Sequence, residues 1–296
     1  MRASLIQIAV DPHESVEARR ARVASLVREQ RGADLVVLPE LWPMGAFAYE
    51  SFADEAEALD GPTFAALAPA ARDAGVFLHA GSIVERATAN DNDGAGAGAG
   101  PVHTGAAAGA APDGPEAGQG PRLYNTSLVI SPEGTLVRTY RKIHRFGFDK
   151  GEATLMSAGS EITTVAAAGA VLGLATCYDL RFPELFRGLV DAGADVLAVP
   201  AGWPARRAAH WTLLARARAV ENQAYVLACG TAGTHAGVEQ AGHSIVVDPW
   251  GEVLAEAGTA EEVLTVDLDI TKVARTRGQF PVLRDRRIPL AAPGPA

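Results

Sequence analysis

Short apolar runs alternate with helical segments in the first part of this chain, and this alternation restricts the folds open to it. Residues 4–10, 34–38 and 76–84 are apolar runs of strand length, and the segments between them, 14–31 and 62–74, have helical patterns. Because a strand, a helix and a second strand in succession favour parallel strands, we expect a sheet covered by helices. The predicted fold class is α/β.

The same succession of elements returns after a hairpin predicted at 123–130 and 135–141. The later predicted strands are 171–177, 195–199, 225–230, 243–248, 252–256 and 262–268, and the later predicted helices are 183–192 and 206–222. The chain therefore contains two rounds of strand–helix units.

Cys177 lies at the end of one of these strands. The apolar residues 171–176 lead into it, and Arg181, Phe182 and Pro183 follow as the predicted start of a helix. Open α/β sheets hold their chemistry at the carboxyl ends of strands, and a helix start favours an anion such as a thiolate. Cys177 is thus a candidate nucleophile; the alternative is a buried, inert thiol.

Two other polar side chains also follow strands directly. Glu40 comes after Pro39 at the end of one strand, and Lys142 follows the strand 135–141. A carboxylate, an ammonium and a thiol together supply a base, a stabiliser of negative charge and a nucleophile. We expect the charge of Lys142 to lower the pKa of the Cys177 thiol.

Three motifs around these side chains resemble those of the nitrilase superfamily of carbon–nitrogen hydrolases. They are LPELW around Glu40, YRKIH around Lys142 and CYDLRFPEL around Cys177, and residues 200–226 and 243–258 are similar to the family as well. The resemblance covers about residues 3–284, apart from one insertion. It implies a four-layer αββα sandwich, in which the two sheets face each other.

The resemblance also implies hydrolysis through a thioester, with Glu40, Lys142 and Cys177 as the catalytic triad. Glu40 would accept the thiol proton, and Lys142 with the backbone N–H of Tyr178 would stabilise the oxyanion. Glu152 matches a second glutamate that the family often carries. Its role would be to orient the substrate amide or to hold Lys142, and the alternative is a solvated loop carboxylate.

Tyr49, Tyr178, Arg181 and Trp203 are the candidates for substrate binding. Arg181 can bind a substrate carboxylate through its guanidinium fork, or it can hold its own loop through an ion pair. Trp203 can form a wall of the pocket or belong to the core, and Tyr49 is a candidate of the same kind.

Within the superfamily, the motifs are most similar to those of bacterial ω-amidases, which hydrolyse 2-oxoglutaramate and related 2-oxo acid monoamides. Tyr178 and Asp179 follow the cysteine as in the amidase-like branches, whereas nitrilases proper tend to have tryptophan and glutamate there. Two other functions stay open. One is a broad aliphatic or N-carbamoyl amidase with the same triad, and the other is a catalytically silent binding protein.

Residues 87–121 do not fit the alternating pattern. They are rich in Gly, Ala and Pro and have almost no large apolar side chain, so burial cannot offset their ordering entropy. We predict a disordered surface insertion between two strands. The remainder is assigned to one carbon–nitrogen hydrolase domain, residues 1–285, followed by a loose tail, residues 286–296.

Net charge and composition limit the classes of partner that we expect this chain to bind. A net charge of −9 argues against a nucleic-acid partner, and no run of about 20 apolar residues predicts a membrane span. The histidines form no HxH or HExxH pattern, so we expect no metal, and the chemistry needs no cofactor. The expected partners are a small-molecule amide and further copies of the chain, in a homodimer or larger assembly through the helices at 206–222 and 183–192.

The chain has only two cysteines, Cys177 and Cys229, too few for a disulfide framework. A disulfide between them would also consume the candidate nucleophile. We therefore expect Cys229 to be a core thiol and the location to be the reducing cytoplasm.

Overall fold

Two six-stranded sheets form the centre of the protein. The computed structural model describes residues 1–87 and 122–288. The strands are β1 (Arg2–Gln7), β2 (Leu35–Val37), β3 (Phe77–Ala87), β4 (Arg122–Ile130), β5 (Leu136–Arg141), β6 (Thr164–Ala167), β7 (Ala170–Leu174), β8 (Val196–Ala201), β9 (Tyr225–Gly230), β10 (Thr234–His235), β11 (Val238–Glu239), β12 (Ile245–Val247), β13 (Val253–Glu256) and β14 (Glu262–Asp267). The strand orders are β14-β1-β2-β3-β4-β5 in the first sheet and β13-β12-β9-β8-β7-β6 in the second, and β10 pairs separately with β11.

Helices connect the parallel strands in the middle of each sheet. The helices are α1 (Val16–Arg28), α2 (Pro62–Ala74), α3 (Glu152–Leu155), α4 (Pro183–Asp191), α5 (Ala208–Asn222) and α6 (Thr271–Gln279), with 3₁₀ turns at Tyr49–Ser51, Cys177–Arg181 and Ala205–Arg207. Strands β1, β2 and β3 run parallel, as do β7, β8 and β9. The predicted succession of strand, helix and strand is therefore confirmed, and in both halves of the chain it forms parallel strands at the centre of a sheet.

Three apolar clusters define the layers. Between the sheets, Leu5 and Val37 of the first sheet share one cluster with Leu174 and Leu227 of the second. The outer face of the first sheet packs on α1 and α2, and the outer face of the second packs on α4 and α5. Since successive strand residues point to opposite faces, each sheet can bury both sides. The predicted αββα sandwich is confirmed.

Local signals explain several helix boundaries. The Ser15 side chain accepts a hydrogen bond from Ala18 N and caps α1, and α2 begins at Pro62 and ends before Gly75, whose φ is +72°. Sequence analysis missed β6 and α6. The predicted strand 171–177 runs three residues beyond Leu174, where β7 ends. The small side chains of Ala175 and Thr176 are compatible with a strand, so the sequence does not indicate this end.

The predicted insertion and tail fall mainly outside the described residues. Of the segment 87–121, only Ala87 is described, and it pairs directly with Arg122 at the open end of the β3–β4 pair. Residues 289–296 of the tail are likewise not described, and the division into one domain and a tail stays a prediction. Within the parts of the chain that are described, no helix combines the length and the apolar character that a membrane crossing requires.

Candidate active site

Cys177 lies three residues beyond the end of β7, at the start of a tight 3₁₀ turn. Its φ of +48° falls in the left-handed region, which costs a non-glycine residue energy and therefore needs support from its surroundings. A capping box supplies part of that support, since the side chains of Thr176 and Asp179 bond reciprocally to the backbone of the turn. The Cys177 Sγ lies 3.6 Å from the carbonyl oxygen of Gly202, at the end of β8.

Asp179 also ties this turn to the strand that carries Lys142. Its buried carboxylate accepts a hydrogen bond from Tyr140 Oη at 2.7 Å and another from His144 N at 3.0 Å. The His144 Nδ1 lies 2.7 Å from the same carboxylate. We call Cys177–Arg181 the nucleophile turn, after its candidate nucleophile, and the segment that follows β5 from Lys142 onward the lysine loop. The buried Asp179 side chain therefore holds the nucleophile turn and the lysine loop in place relative to each other.

Glu40 reaches the centre of the site from the loop after β2. Its Oε1 accepts hydrogen bonds from Lys142 Nζ at 2.7 Å and from Asn125 Nδ2 at 2.8 Å, and its Oε2 accepts one from Gly202 N at 2.8 Å. A side chain at position 202 would not fit, because a Cβ there would lie 2.4 Å from Ala46 Cβ. Position 202 thus requires glycine to present its N–H to Glu40.

Lys142 is buried between two carboxylates. Its Nζ lies 2.7 Å from Glu40 Oε1 and 2.7 Å from Glu152 Oε2. Glu152 also accepts hydrogen bonds from Phe146 N and from Asn125 Nδ2, both at 2.9 Å. Glu152 is therefore not a solvated loop carboxylate, and its contacts hold Lys142. Because an ammonium has three N–H donors, one remains for another acceptor.

The surroundings set the charges in this cluster. Burial alone would lower the pKa of Lys142, but the Glu152 and Glu40 carboxylates outweigh it and raise that pKa well above its usual value. Lys142 therefore stays an ammonium. Burial, together with Glu40, raises the pKa of Glu152 against the opposing effect of Lys142.

The pKa of the Cys177 thiol is raised well above its usual value, contrary to the expectation from sequence. Burial is the largest cause, and the charge of Glu40 and a hydrogen bond to it add to the effect. Lys142 does act in the expected direction, but it is shared by two carboxylates and does not prevail. The expected helix start contributes little, because α4 begins only at Pro183, six residues beyond Cys177.

All four candidates for substrate binding line one pocket with the triad and Glu152. The pocket has a volume of about 410 Å³, including its open mouth. Burial, with Glu152 and Glu40, raises the pKa of Tyr49 to about 12, so its hydroxyl stays protonated. Trp203 serves both of the roles considered for it, since it lines the pocket and its ring centroid lies 5.4 Å from that of Trp211 in the core.

Tyr178 and Arg181 follow Cys177 on the same turn and face this pocket. The Tyr178 ring contacts Phe146 edge-on, with 5.4 Å between centroids. The Arg181 Cζ lies 4.9 Å from the centre of the Trp203 ring. The salt bridges in residues 1–87 and 122–288 do not include Arg181, so the ion pair considered for it is not found there.

Sequence analysis missed several residues of the site, among them Asn125, Phe146 and Arg207. Asn125 contacts both carboxylates, but in the sequence it is one of three consecutive polar residues inside β4 and nothing distinguishes it. Phe146 and Arg207 line the pocket from the lysine loop and from the turn before α5. The signal available for Arg207 was its place in a basic pair after the Gly-Trp-Pro segment.

The donor set does not suit a metal ion. In the described part of the chain, no group of three or more His, Cys, Asp and Glu side chains is placed to hold one. In the pocket, the Glu40 and Glu152 carboxylates already share the Lys142 ammonium.

The chain belongs to the carbon–nitrogen hydrolase family, whose model matches residues 2–278. It is thus a hydrolase of carbon–nitrogen bonds other than peptide bonds. It is 40% identical over 286 residues to the 2-oxoglutaramate amidase of Paenarthrobacter nicotinovorans, covering 95% of this chain and 88% of the relative. It is 35% identical to human Omega-amidase NIT2, covering 98% of this chain and 96% of the relative.

Solved structures agree with this assignment. A CN-hydrolase superfamily protein from Xanthomonas campestris, XC1258, is similar with a TM-score of 0.81 and 29% identity over 99% of both chains. Nit3 of Saccharomyces cerevisiae, a member of the nitrilase superfamily, is similar with a TM-score of 0.78 and 29% identity over 97% of both chains. The resemblance inferred from the three motifs is confirmed.

Proposed function

We propose that this hydrolase is a cysteine amidase that acts on small carboxylated amides, above all 2-oxoglutaramate or related 2-oxo acid monoamides. The observation that carries the proposal is the buried Lys142 ammonium held between Glu40 and Glu152, in one pocket with the free thiol of Cys177. The names of the relatives, 2-oxoglutaramate amidase and omega-amidase, support the substrate class.

The first half of the reaction forms a thioester. Because the Cys177 thiol is neutral at rest, Glu40 accepts its proton as the sulfur attacks the amide carbon. The remaining N–H of Lys142 and the backbone N–H of Tyr178 donate to the oxyanion. Tyr178 stands in the first turn of the 3₁₀ segment, where amide groups have no partner within the turn itself. Glu40 then returns the proton to the nitrogen, and ammonia leaves.

The second half hydrolyses the thioester. Water takes the place of ammonia, Glu40 accepts a proton from it, and the hydroxide attacks the thioester carbon. The same oxyanion donors serve again. As the intermediate collapses, the carbon–sulfur bond breaks, Glu40 returns its proton to the Cys177 sulfur, and the carboxylic acid leaves. Glu152 and Asn125 keep Lys142 and Glu40 in position through both halves.

Substrate binding is assigned to Tyr49, Tyr178, Arg181 and Trp203. The aromatic rings form walls, and Arg181, which has no salt bridge within residues 1–87 and 122–288 and contacts His210 Nδ1 at 3.4 Å through its Nη2, can bind a substrate carboxylate. A carboxylate buried without a partner costs several kcal/mol, so a charged substrate needs such a group.

The test is a panel of small amides scored by ammonia release. We expect kcat/KM for 2-oxoglutaramate to exceed that for a neutral amide of similar length by about 30- to 1000-fold, which corresponds to about 2–4 kcal/mol. Equal rates for the neutral amide would instead identify a broad aliphatic amidase, and faster turnover of an N-carbamoyl compound would identify an N-carbamoyl amidase. A panel without any turnover would indicate a silent binding protein.

A homodimer or larger assembly is part of the proposal. Leu213 and Val220 lie seven residues apart on one face of α5 and are 65% and 50% exposed. Trp250 and Phe280 form a second exposed apolar site, where their rings stack with centroids 6.1 Å apart. A second copy of the chain could cover these apolar side chains. Light scattering at micromolar concentration should give at least twice the mass of one chain, and Leu213→Glu should lower it; a wild-type monomer would contradict the assembly.

The reducing cytoplasm is the proposed location. Both cysteines are free thiols, and the reaction needs Cys177 reduced. Fractionation of cells that carry a tagged full chain should recover it with cytoplasmic markers. Recovery with an oxidising compartment would contradict this location.

A further inference from the structure

Two arginines line the pocket without a carboxylate partner. Arg181 follows the nucleophile turn, and Arg207 ends the 3₁₀ turn Ala205–Arg207 just after β8. Neither takes part in a salt bridge within residues 1–87 and 122–288, although the chain has 35 acidic side chains and a net charge of −9. Other arginines among the described residues also lack a salt bridge, and what distinguishes these two is that both line the pocket that holds Cys177. The Arg181 Nη2 also lies 3.4 Å from His210 Nδ1, a contact that does not neutralise its charge.

Aromatic rings hold both guanidiniums in place. The Arg207 Cζ lies 5.3 Å from the centre of the Phe146 ring, and the Arg181 Cζ lies 4.9 Å from that of Trp203. Trp203 Nε1 also donates a hydrogen bond to the Arg207 carbonyl oxygen at 2.8 Å. A cation on an aromatic face is oriented without being neutralised, and its N–H donors stay available to a ligand.

The local charges favour an anion at this place. Partial burial lowers the pKa of Arg207, and the like charges of Arg206 and Arg181 lower it further. The Cys177 and Tyr178 groups act on it in the opposite direction, which places Arg207 within electrostatic reach of the nucleophile turn. A bound carboxylate would relieve the repulsion between the arginines and accept a bidentate pair of hydrogen bonds.

We propose that Arg207 is a further specificity-determining residue of this pocket: it joins Arg181 in binding the free carboxylate of the substrate and discriminates charged amides from neutral ones. The triad is buried, whereas both arginines are partly exposed, so the amide end enters first and the carboxylate end faces the opening. This inference deepens the proposed amidase function and rests on it for the reacting end of the substrate.

The experiment measures alkylation of Cys177, which needs no amidase activity. The anionic probe is 5-bromo-4-oxopentanoate and the neutral probe is its methyl ester. In both, the Cys177 thiol gives its proton to Glu40, the sulfur forms a bond to the bromomethyl carbon and bromide leaves, so the two probes react alike and differ in the charge at the far end. The variants are Arg207→Gln, Arg207→Lys and, as a matched control, Arg206→Gln, which removes the same charge from an exposed side chain outside the pocket lining.

We expect Arg207→Gln to slow alkylation by the anionic probe by about 10- to 100-fold and to change the ester rate by less than about 2-fold. Arg207→Lys should fall between wild type and Arg207→Gln, because it keeps the charge and loses the fork. Arg206→Gln should slow the anionic probe by less than about 3-fold, as expected for a screened surface charge. Mass spectrometry of the labelled peptide assigns the reaction to Cys177, and the melting temperature checks the fold.

Two results would overturn the subsite: equal slowing of both probes in Arg207→Gln, or no change for either probe. The same variants measured with 2-oxoglutaramate and a neutral amide keep the two proposals apart. If labelling by the anionic probe depends on Arg207 but no amide releases ammonia, the carboxylate subsite is supported and the amidase function is contradicted. If the protein releases ammonia and Arg207→Gln lowers kcat/KM equally for charged and neutral amides, the amidase function is supported and the carboxylate subsite is contradicted.

Discussion

The two cysteines of this protein share burial and a raised pKa, yet their surroundings differ. Cys229 lies on β9 between the sheets, where its Sγ is 3.4 Å from Ile6 O and 3.3 Å from Val37 O, and burial is the main cause of its raised pKa. Cys177 lies beyond a strand end in a left-handed backbone conformation, beside Glu40 and Lys142. Burial therefore does not distinguish the proposed nucleophile from the core thiol; what distinguishes Cys177 is a pocket that it shares with the Glu40 carboxylate and the Lys142 ammonium.

The largest expected effect separates the two thiols directly. Cys177→Ala should lower kcat by at least about 1000-fold, because no other group can form the thioester. The matched variant Cys229→Ala should keep kcat within about 3-fold and lower the free energy of unfolding by about 1–2 kcal/mol, since it leaves a small void between the sheets. Turnover and denaturant unfolding of both variants measure this. Substantial activity in Cys177→Ala, or selective loss of activity in Cys229→Ala with an unchanged melting temperature, would contradict the assignment of Cys177 as the nucleophile and Cys229 as a core thiol.

The next effect tests the base beside Cys177. Glu40→Gln keeps the size of the side chain and can keep the hydrogen bond from Lys142, but its amide NH2 cannot accept from Gly202 N and it cannot accept the thiol proton. We expect kcat to fall by about 100- to 10,000-fold, and the melting temperature to fall as well, because a buried N–H loses its acceptor. Steady-state kinetics and thermal unfolding on the same preparation provide the measurement. Activity within tenfold of wild type would mean that another group takes the proton.

A smaller effect is expected from the amide that joins the two carboxylates. Asn125→Ala removes hydrogen bonds to Glu40 and Glu152, and it should lower kcat by about 10- to 100-fold through loss of positioning. The control is Asn222→Ala, a buried asparagine on α5 that donates to Arg218 O away from the pocket. It should cost stability without a comparable loss of kcat. Equal kinetic losses in both variants would remove the special role of Asn125.

The smallest effect is expected from a change outside both thiol sites, in the connection between β3 and β4. Replacement of residues 88–121 by a turn of about four residues should leave kcat and the melting temperature nearly unchanged. Ala87 and Arg122 are already paired, so a short turn can join β3 to β4, and the shorter loop has a lower closure entropy. Misfolding or lost activity of the shortened protein would give the replaced residues a role in packing or access.

Local patterns in the sequence predicted the α/β class and the positions of Glu40, Lys142 and Cys177, whereas the four-layer sandwich came from the resemblance to the nitrilase superfamily. Apolar runs, turns and the positions of Glu40, Lys142 and Cys177 at strand ends are visible in a few neighbouring residues. Asn125 could not be singled out in this way, since its importance comes from side chains 85 and 27 positions away in the chain. Arg207 likewise became recognisable only through the rings of Phe146 and Trp203.

The pKa of Cys177 shows a second limit of sequence analysis. The expected lowering considered only Lys142, which is one of several influences on the thiol. Burial depends on the complete packing of both sheets, and Glu40 was assigned as a base without its charge being counted against the thiolate. Local patterns give the identity of the groups, whereas the balance of their charges depends on the three-dimensional arrangement.

Titration of the Cys177 thiol tests the central claim, a neutral nucleophile beside a charged Glu40, most directly. The thiolate absorbance of the wild type minus that of Cys177→Ala isolates this thiol from Cys229 and the tyrosines. Because a raised pKa keeps the neutral form to higher pH, the midpoint should lie above the ordinary value of about 8.5. It should fall in Glu40→Gln, which removes a negative charge and an acceptor. A midpoint near or below about 7, or one that Glu40→Gln does not lower, would contradict the account and indicate a resting thiolate paired with Lys142.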